Sequence, residues 1–220
     1  IMSNKKKILI IQKVHEKGME LINNHPNYDV EVTDDTSIEN LKSKLKDCDG
    51  ASIRIAKLPG ETFEGAKNLK IISRHGVGYD NIDLKKAKEK DIKIAITANA
   101  NAVTVAEHVM FVLLNIAKRK GLFDKTVRDG NFKDRNKLPK TIEVWKKNFL
   151  IMGFGRIGKA LIKRCLGFEM NVFVYDPFVD KDKIEELGGK KVDDLAEAVK
   201  TMDVISLHMP LTDKTENLIN

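Results

Sequence analysis

Along the first hundred residues, short apolar runs alternate with amphipathic segments. Apolar or β-branched runs fall at Ile8 to Ile11, Tyr28 to Val32, Ala51 to Ile55, Leu69 to Ser73 and Ile92 to Ile96. Helical spacing lies between them, over Glu16 to Ile22, Ile38 to Leu45, Thr62 to Ala66 and Leu84 to Lys90. Near-continuous apolar strands separated by helices predict a parallel sheet with helices on both faces. Ser37 ahead of Ile38, with Asn40 in the first turn, reads as a helix start.

From Ala102 to Lys120 apolar residues occupy almost every side of the helical projection. This predicts a helix buried on several faces, between domains or at a subunit interface. Glu107 and His108 interrupt it and read as a structural polar pair. Gly121 to Lys147, rich in Lys, Asp, Asn and Gly with little periodicity after Val127, reads as a connection. Beyond it the pattern gives a strand over 149–152, a helix over 156–166, a strand over 171–175 and a helix over 182–187. A short strand near Lys191-Val192, a helix over 194–200 and a strand over 203–207 complete it. The expected fold is α/β with two doubly wound parallel-sheet domains: a flavodoxin-like domain over 1–100, then an incomplete Rossmann domain over 101–220. Strand 203–207, with Val204, Ile205 and Leu207, would be an uncovered apolar edge, an aggregation hazard, so the chain is read as a fragment of a longer protein.

The most informative stretch is Gly153-Phe154-Gly155-Arg156-Ile157-Gly158, a GxGxxG run between an apolar strand and a helix. Gly153 would let the chain turn out of the strand, Gly155 would let the backbone approach a pyrophosphate, and Gly158 would let helix and sheet pack closely. Free N–H groups at the helix start would supply hydrogen bonds and partial positive charge. Asp176, eighteen residues after Gly158, stands where an acid reaches the adenosine ribose of a βαβ unit. An acid accepts from ribose hydroxyls and repels a 2′-phosphate, which favours NAD over NADP.

A net charge of +7 raises the possibility of nucleic acid, but the lysines are scattered among acids and aromatics are only 6%, which leaves no stacking platform. Nucleic acid is therefore not expected as a partner. Cys48 and Cys165 lie far apart and form no CxxC pair, so neither a metal site nor a disulfide is expected, and a reducing compartment fits. The opening apolar run is too short for a signal peptide, and Val109 to Leu114 is too short to span a bilayer. The expectation is a cytoplasmic protein with no membrane partner, in which Ile1 ahead of Met2 is an artefact.

Several motifs occur in a fixed order: Ser73-Arg74-His75-Gly76-Val77-Gly78-Tyr79-Asp80-Asn81-Ile82-Asp83, then Asn101 through Val105-Ala106-Glu107-His108. The Gly153 to Gly158 turn, Tyr175-Asp176-Pro177, and Ser206-Leu207-His208-Met209-Pro210-Leu211-Thr212 ending in Thr215 follow. Together, over nearly the whole chain, they resemble the D-isomer-specific 2-hydroxyacid dehydrogenases, and within them the phosphoglycerate dehydrogenases. The resemblance implies a substrate domain followed by an NAD-binding domain. It implies that Gly76, Val77 and Gly78 hold a substrate carboxylate, which suits the anion-binding concavity that successive N–H groups form. Val77 would also lie near the nicotinamide.

Arg54 matches the position that holds a substrate phosphate, although as a single arginine it is equally compatible with a solvated surface; Arg74 would be a second anion contact. Arg156 and Ile157 would sit against the pyrophosphate, and Met209, Pro210 and Thr215 along the adenosine side. His208 would belong to the cofactor wall and not act as the base. The sequence departs from the family at Lys146-Lys147-Asn148, where relatives commonly carry a Gly-Lys turn.

The implied reaction is oxidation of a D-2-hydroxy acid to the 2-keto acid with NAD. An arginine would polarise the substrate, and a histidine paired with a glutamate would exchange the hydroxyl proton. All three are expected beyond Asn220, so no catalytic residue is assigned and the polypeptide is expected to be inactive alone. The alternatives are a glyoxylate or hydroxypyruvate reductase and a non-catalytic NAD-binding relative of the corepressor type. A homodimer through the 102–120 helix region is also expected.

Overall fold

The computed structural model describes residues 5–219. The Ile1-Met2 opening and Asn220 lie outside them. The chain forms two compact units, Ile1–Ala100 and Asn101–Asn220.

In the first unit the elements are β1 (Lys6–Ile11), α1 (Glu16–Asn23), β2 (Tyr28–Thr33), α2 (Ile38–Leu45), β3 (Gly50–Ile53), β4 (Ile71–Arg74), α3 (Leu84–Glu89) and β5 (Lys93–Ile96). The strands pair in parallel in the order β2-β1-β3-β4-β5, the flavodoxin-like order. Leu9, Ile11, Ile53 and Ile72 from the strands are buried with Leu41, Leu45, Leu58 and Phe63. Ser37 stands at the start of α2 without capping it through its side chain. The Asn40 amide instead ties that helix to Thr33 Oγ1 (3.1 Å) and the Asp35 carbonyl (2.8 Å). The helix expected over Thr62 to Ala66 is only a 3-10 turn, Gly60–Phe63. Pro59 precedes it and Gly65 adopts φ 78° just after it, so there is room for one turn only.

In the second unit α4 (Ala102–Ala117) and α5 (Lys120–Arg128) precede β6 (Asn148–Met152), α6 (Arg156–Gly167) and β7 (Asn171–Tyr175). Then come α7 (Lys181–Glu185), β8 (Lys190–Lys191), α8 (Leu195–Val199) and β9 (Val204–Leu207). All pairings are parallel and the order is β8-β7-β6-β9, the arrangement of the first four Rossmann strands. β6 is central, with Phe149, Leu150, Ile151 and Met152 fully buried. β9 is an edge strand on which Ile205 and Leu207 are exposed.

Two expectations change here. The stretch read as one helix to Lys120 ends at Ala117; the chain turns at Arg119 (φ 50°) and a second helix runs on to Arg128, inside the segment read as a connection. Within this chain α4 is covered on one side only. Ala106, Met110 and Ala117 face the core and α6, whereas Val103 (54%), Phe111 (60%) and Ile116 (69%) are exposed.

Candidate functional site

The turn after β6 is built by backbone contacts. Met152 ends the buried strand, and Gly153 then adopts φ 96° with its N–H on the Tyr175 carbonyl (2.9 Å). A Cβ on Gly153 would lie 2.7 Å from the His208 carbonyl oxygen and 3.0 Å from Met209 N, so the turn is pressed against the chain leaving β9. His208 N–H donates to the Met152 carbonyl (2.7 Å) and completes that contact. Phe154 is buried, while Gly155, the N-cap of α6, is exposed and has open space where a Cβ would stand.

No side chain caps α6. Arg156 is exposed and Ile157 half-buried in its first turn, and Gly158 is buried with the Gly153 carbonyl against it. The start of this helix therefore combines exposed backbone, uncapped donors and room for a group to come close. These features fit the pyrophosphate of a dinucleotide.

Asp176 follows β7 directly and is half-buried. Its Oδ2 accepts from Phe154 N–H (2.7 Å) and its Oδ1 from Phe178 N–H (2.9 Å). The carboxylate thus fastens the glycine turn to the end of the neighbouring strand. Each oxygen retains acceptor capacity, so a ribose hydroxyl also fits.

Met209 is half-buried beside Gly153. Pro210 and Thr215 lie in a self-closed turn in which Thr215 Oγ1 donates to the Pro210 carbonyl (2.7 Å) and accepts from Thr212 N–H (2.8 Å). His208 Nε2 lies 2.9 Å from Ser206 Oγ, and burial pushes its imidazole below the usual histidine pKa. The ring is therefore held against β9 beside Ser206.

In the first unit Arg54 and Arg74 stand at the ends of β3 and β4. Arg54 is exposed and its Nη1 donates to the Lys13 carbonyl (3.3 Å). Arg74 is half-buried and folds back, with Nη1 on the His75 carbonyl. In this conformation its guanidinium serves the loop. It occupies the space a Cβ on Gly76 would need, and Gly76 has φ 151°. The Gly76 carbonyl accepts from Thr97 N–H (3.0 Å) and Oγ1 (3.3 Å). Among the described residues no protein group accepts from the N–H of Val77 or Gly78. Two successive free donors are what a carboxylate needs. The Asp80 carboxylate beside Gly78 is a local feature that opposes an anion.

Glu107 and His108 do not form a pair. Glu107 Oε1 accepts from Arg164 Nη2 (3.0 Å), and His108 lies near the Phe111 ring, because successive helix residues point in different directions. Two residues that sequence reasoning missed are Gln12 and Asn81, whose side-chain amides hold the loop after β3. A single polar residue after an apolar run is the only trace Gln12 leaves in the sequence. In the second unit a groove of about 590 Å³ is lined by Val109, Val112, Ile116, Ile142, Val204 and Ile205 among others and includes no residue of the glycine turn.

The family model for the D-isomer specific 2-hydroxyacid dehydrogenase, NAD binding domain, matches residues 110–220. D-3-phosphoglycerate dehydrogenase of Methanocaldococcus jannaschii is 36% identical over 214 residues, which is 97% of this chain and 40% of that protein. Glyoxylate reductase of Thermococcus onnurineus is 33% identical over 225 residues, covering 98% of this chain and 66% of the reductase. Among solved structures, NAD-dependent formate dehydrogenase from Staphylococcus aureus in complex with NAD superposes with a TM-score of 0.82 at 27% identity, over 97% of this chain and 67% of that one. The chain thus spans from two fifths to about two thirds of the length of these relatives.

Proposed function

This chain belongs to the D-isomer specific 2-hydroxyacid dehydrogenase family, and from that premise we propose that the protein interconverts a D-2-hydroxy acid and its 2-keto acid. Residues 110–220 match the NAD binding domain of the family. NAD supplies the hydride-accepting ring. The chain's own residues supply binding and orientation. The α6 start and the Gly153 turn receive the pyrophosphate with Arg156 and Ile157 alongside, and Asp176 accepts from the ribose. Met209, Pro210 and Thr215 border the adenosine. Val77 and Gly78 N–H hold the substrate carboxylate, and Gly76 gives the loop its shape.

The observation that carries this reading is the uncapped α6 start, fixed by Asp176 and by the chain leaving β9. Arg54 favours a phosphorylated substrate of the phosphoglycerate type, because it is exposed at the same sheet end as Gly76 to Gly78. Glyoxylate or hydroxypyruvate is the other reading, supported by the likeness to glyoxylate reductases. The exposed Val103, Phe111 and Ile116 on α4 support a homodimer formed through that helix. Phe111→Glu should then shift the particle mass from dimer to monomer in light scattering. Among the described residues no helix is long and apolar enough to cross a membrane.

The cofactor assignment is tested by titrating the chain with NAD and NADP. Asp176→Ala removes both the acceptor for the ribose hydroxyls and the repulsion of a 2′-phosphate, so the ratio of NAD to NADP affinity should fall about tenfold, whatever loosening of the turn weakens both alike. An unchanged ratio of the two affinities would remove Asp176 from the ribose site.

A further inference from the structure

At the end of β1 the chain leaves the sheet through Gln12, a non-glycine residue with φ 67°. Its N–H donates to the Thr33 carbonyl (2.8 Å). Its side chain turns toward the end of β3, where Oε1 accepts from two consecutive backbone groups, Ile55 N–H (3.0 Å) and Ala56 N–H (2.9 Å). An amide oxygen has two lone pairs, and here both are used. The two donors need such an acceptor: β3 stops at Ile53 and its neighbour β1 at Ile11, so no ladder carbonyl is left for them.

The same segment is held from the other side. The Ala56 carbonyl accepts from Asn81 Nδ2 (2.6 Å), Leu58 N–H donates to the Asn81 carbonyl (2.8 Å), and Asp83 N–H donates to the Leu58 carbonyl (3.0 Å). Arg54 stands at the head of this segment and reaches back to Lys13, the residue after Gln12. Asn81 closes the stretch that begins at Gly76.

We infer that Gln12 is a positioning residue for anion recognition: it fixes residues 54–56 between the end of β1 and the Gly76 to Asn81 stretch. It thereby sets where the Arg54 guanidinium stands relative to the Val77 and Gly78 donors. The inference rests on the proposed anion role of Arg54. A left-handed non-glycine residue persists where its surroundings determine it, and such residues gather at functional sites. Glycine would adopt this φ without strain, but it could not supply the double acceptor.

The test uses the full chain and Gln12→Gly, which removes the acceptor while easing the backbone, so loss of folding is not the expected result. Three quantities are measured by NMR: amide exchange at Ile55 and Ala56, relaxation of the Arg54 Nε–H, and affinity for 3-phosphoglycerate against unphosphorylated glycerate. In Gln12→Gly the two amides should exchange at least about tenfold faster and the Arg54 side chain should become mobile. The affinity for 3-phosphoglycerate should fall about tenfold while that for glycerate changes less than about twofold.

Arg54 relaxation at the wild-type level in Gln12→Gly overturns the inference whether or not either ligand binds. Arg54→Ala tests the underlying reading separately. If it leaves the ratio of the two affinities unchanged, Arg54 has no phosphate role, and the relaxation measurement still decides whether Gln12 positions it.

Discussion

Gly153 and Gly155 stand two residues apart in the same turn, and the structure assigns them opposite sensitivities. At Gly153 an alanine would carry a left-handed φ of 96°. That conformation costs an L-residue about 1–2 kcal/mol. The new methyl would also press on backbone, at 2.7 Å from the His208 oxygen and 2.8 Å from its carbonyl carbon, and backbone cannot rotate away as a side chain can. Overpacking of this kind adds about 1–3 kcal/mol, for a total of roughly 2–5 kcal/mol. Gly155 has an ordinary φ of −74°, and nothing lies within 4 Å of its Cβ position. Gly155→Ala should therefore leave stability within about 0.5 kcal/mol of wild type.

The ligand reverses the ranking of Gly155. If a pyrophosphate comes against the exposed backbone there, the methyl occupies its approach. NAD affinity should then fall by about tenfold or more, about 1.4 kcal/mol. The assay is denaturant unfolding of each variant, followed by NAD titration of those that remain folded. Gly153→Ala should lower the unfolding midpoint strongly, whereas Gly155→Ala should unfold as wild type and bind NAD poorly. Full-affinity NAD binding by Gly155→Ala would refute the close backbone approach, and a wild-type midpoint for Gly153→Ala would refute the packing of the turn on His208.

Two further outcomes follow from local geometry. Lys146 has φ 55°, so Lys146→Gly should be about 1 kcal/mol more stable than Lys146→Ala in chemical denaturation. Both substitutions lose the Lys146 ammonium over the Trp145 ring at 4.1 Å, so their difference isolates the backbone, and equal midpoints would refute the strain. Burial pushes the Cys48 thiol up to about 11 and the Cys165 thiol up to about 12. Neither should be alkylated by iodoacetamide at pH 8 in the folded chain, and both should react once it is unfolded; rapid labelling of the native protein, read by mass spectrometry, would contradict their burial.

The strands were legible because parallel strands buried on both faces leave unbroken apolar runs, as at Ile8 to Ile11 and Phe149 to Met152. The glycine turn was legible because its backbone geometry needs missing side chains at Gly153 and Gly158, which a sequence records directly. What escaped was decided by backbone angles at ordinary residues. Arg119 at φ 50° divides α4 from α5, and Gln12 at φ 67° aims an amide at Ile55 and Ala56. Lys146 takes the conformation that a glycine would adopt without strain, so the turn into β6 keeps its shape despite the departure from the Gly-Lys pattern. The second helix, α5, hid behind Gly121, which reads as a breaker, and it has no fully buried residue to reveal its period. On the outer face of α4, Phe111 and Ile116 are exposed in this chain, so the apolar pattern there exceeds what the core of the second unit covers.

The contacts around Gly153 also bear on the order in which the protein assembles. The turn takes a carbonyl from Tyr175, a carboxylate from Asp176 and a back wall from His208 and Met209. β6 can be synthesised and collapsed long before those partners exist. A nascent chain that has emerged only through α7 has β7 to hold Phe154 but nothing behind Gly153. Closing that last contact joins residues more than fifty positions apart, an entropic cost that is met only once β9 docks on β6. The glycine turn therefore matures last in its unit, and if it receives the nucleotide as proposed, nucleotide binding during synthesis would report that β9 has joined the sheet.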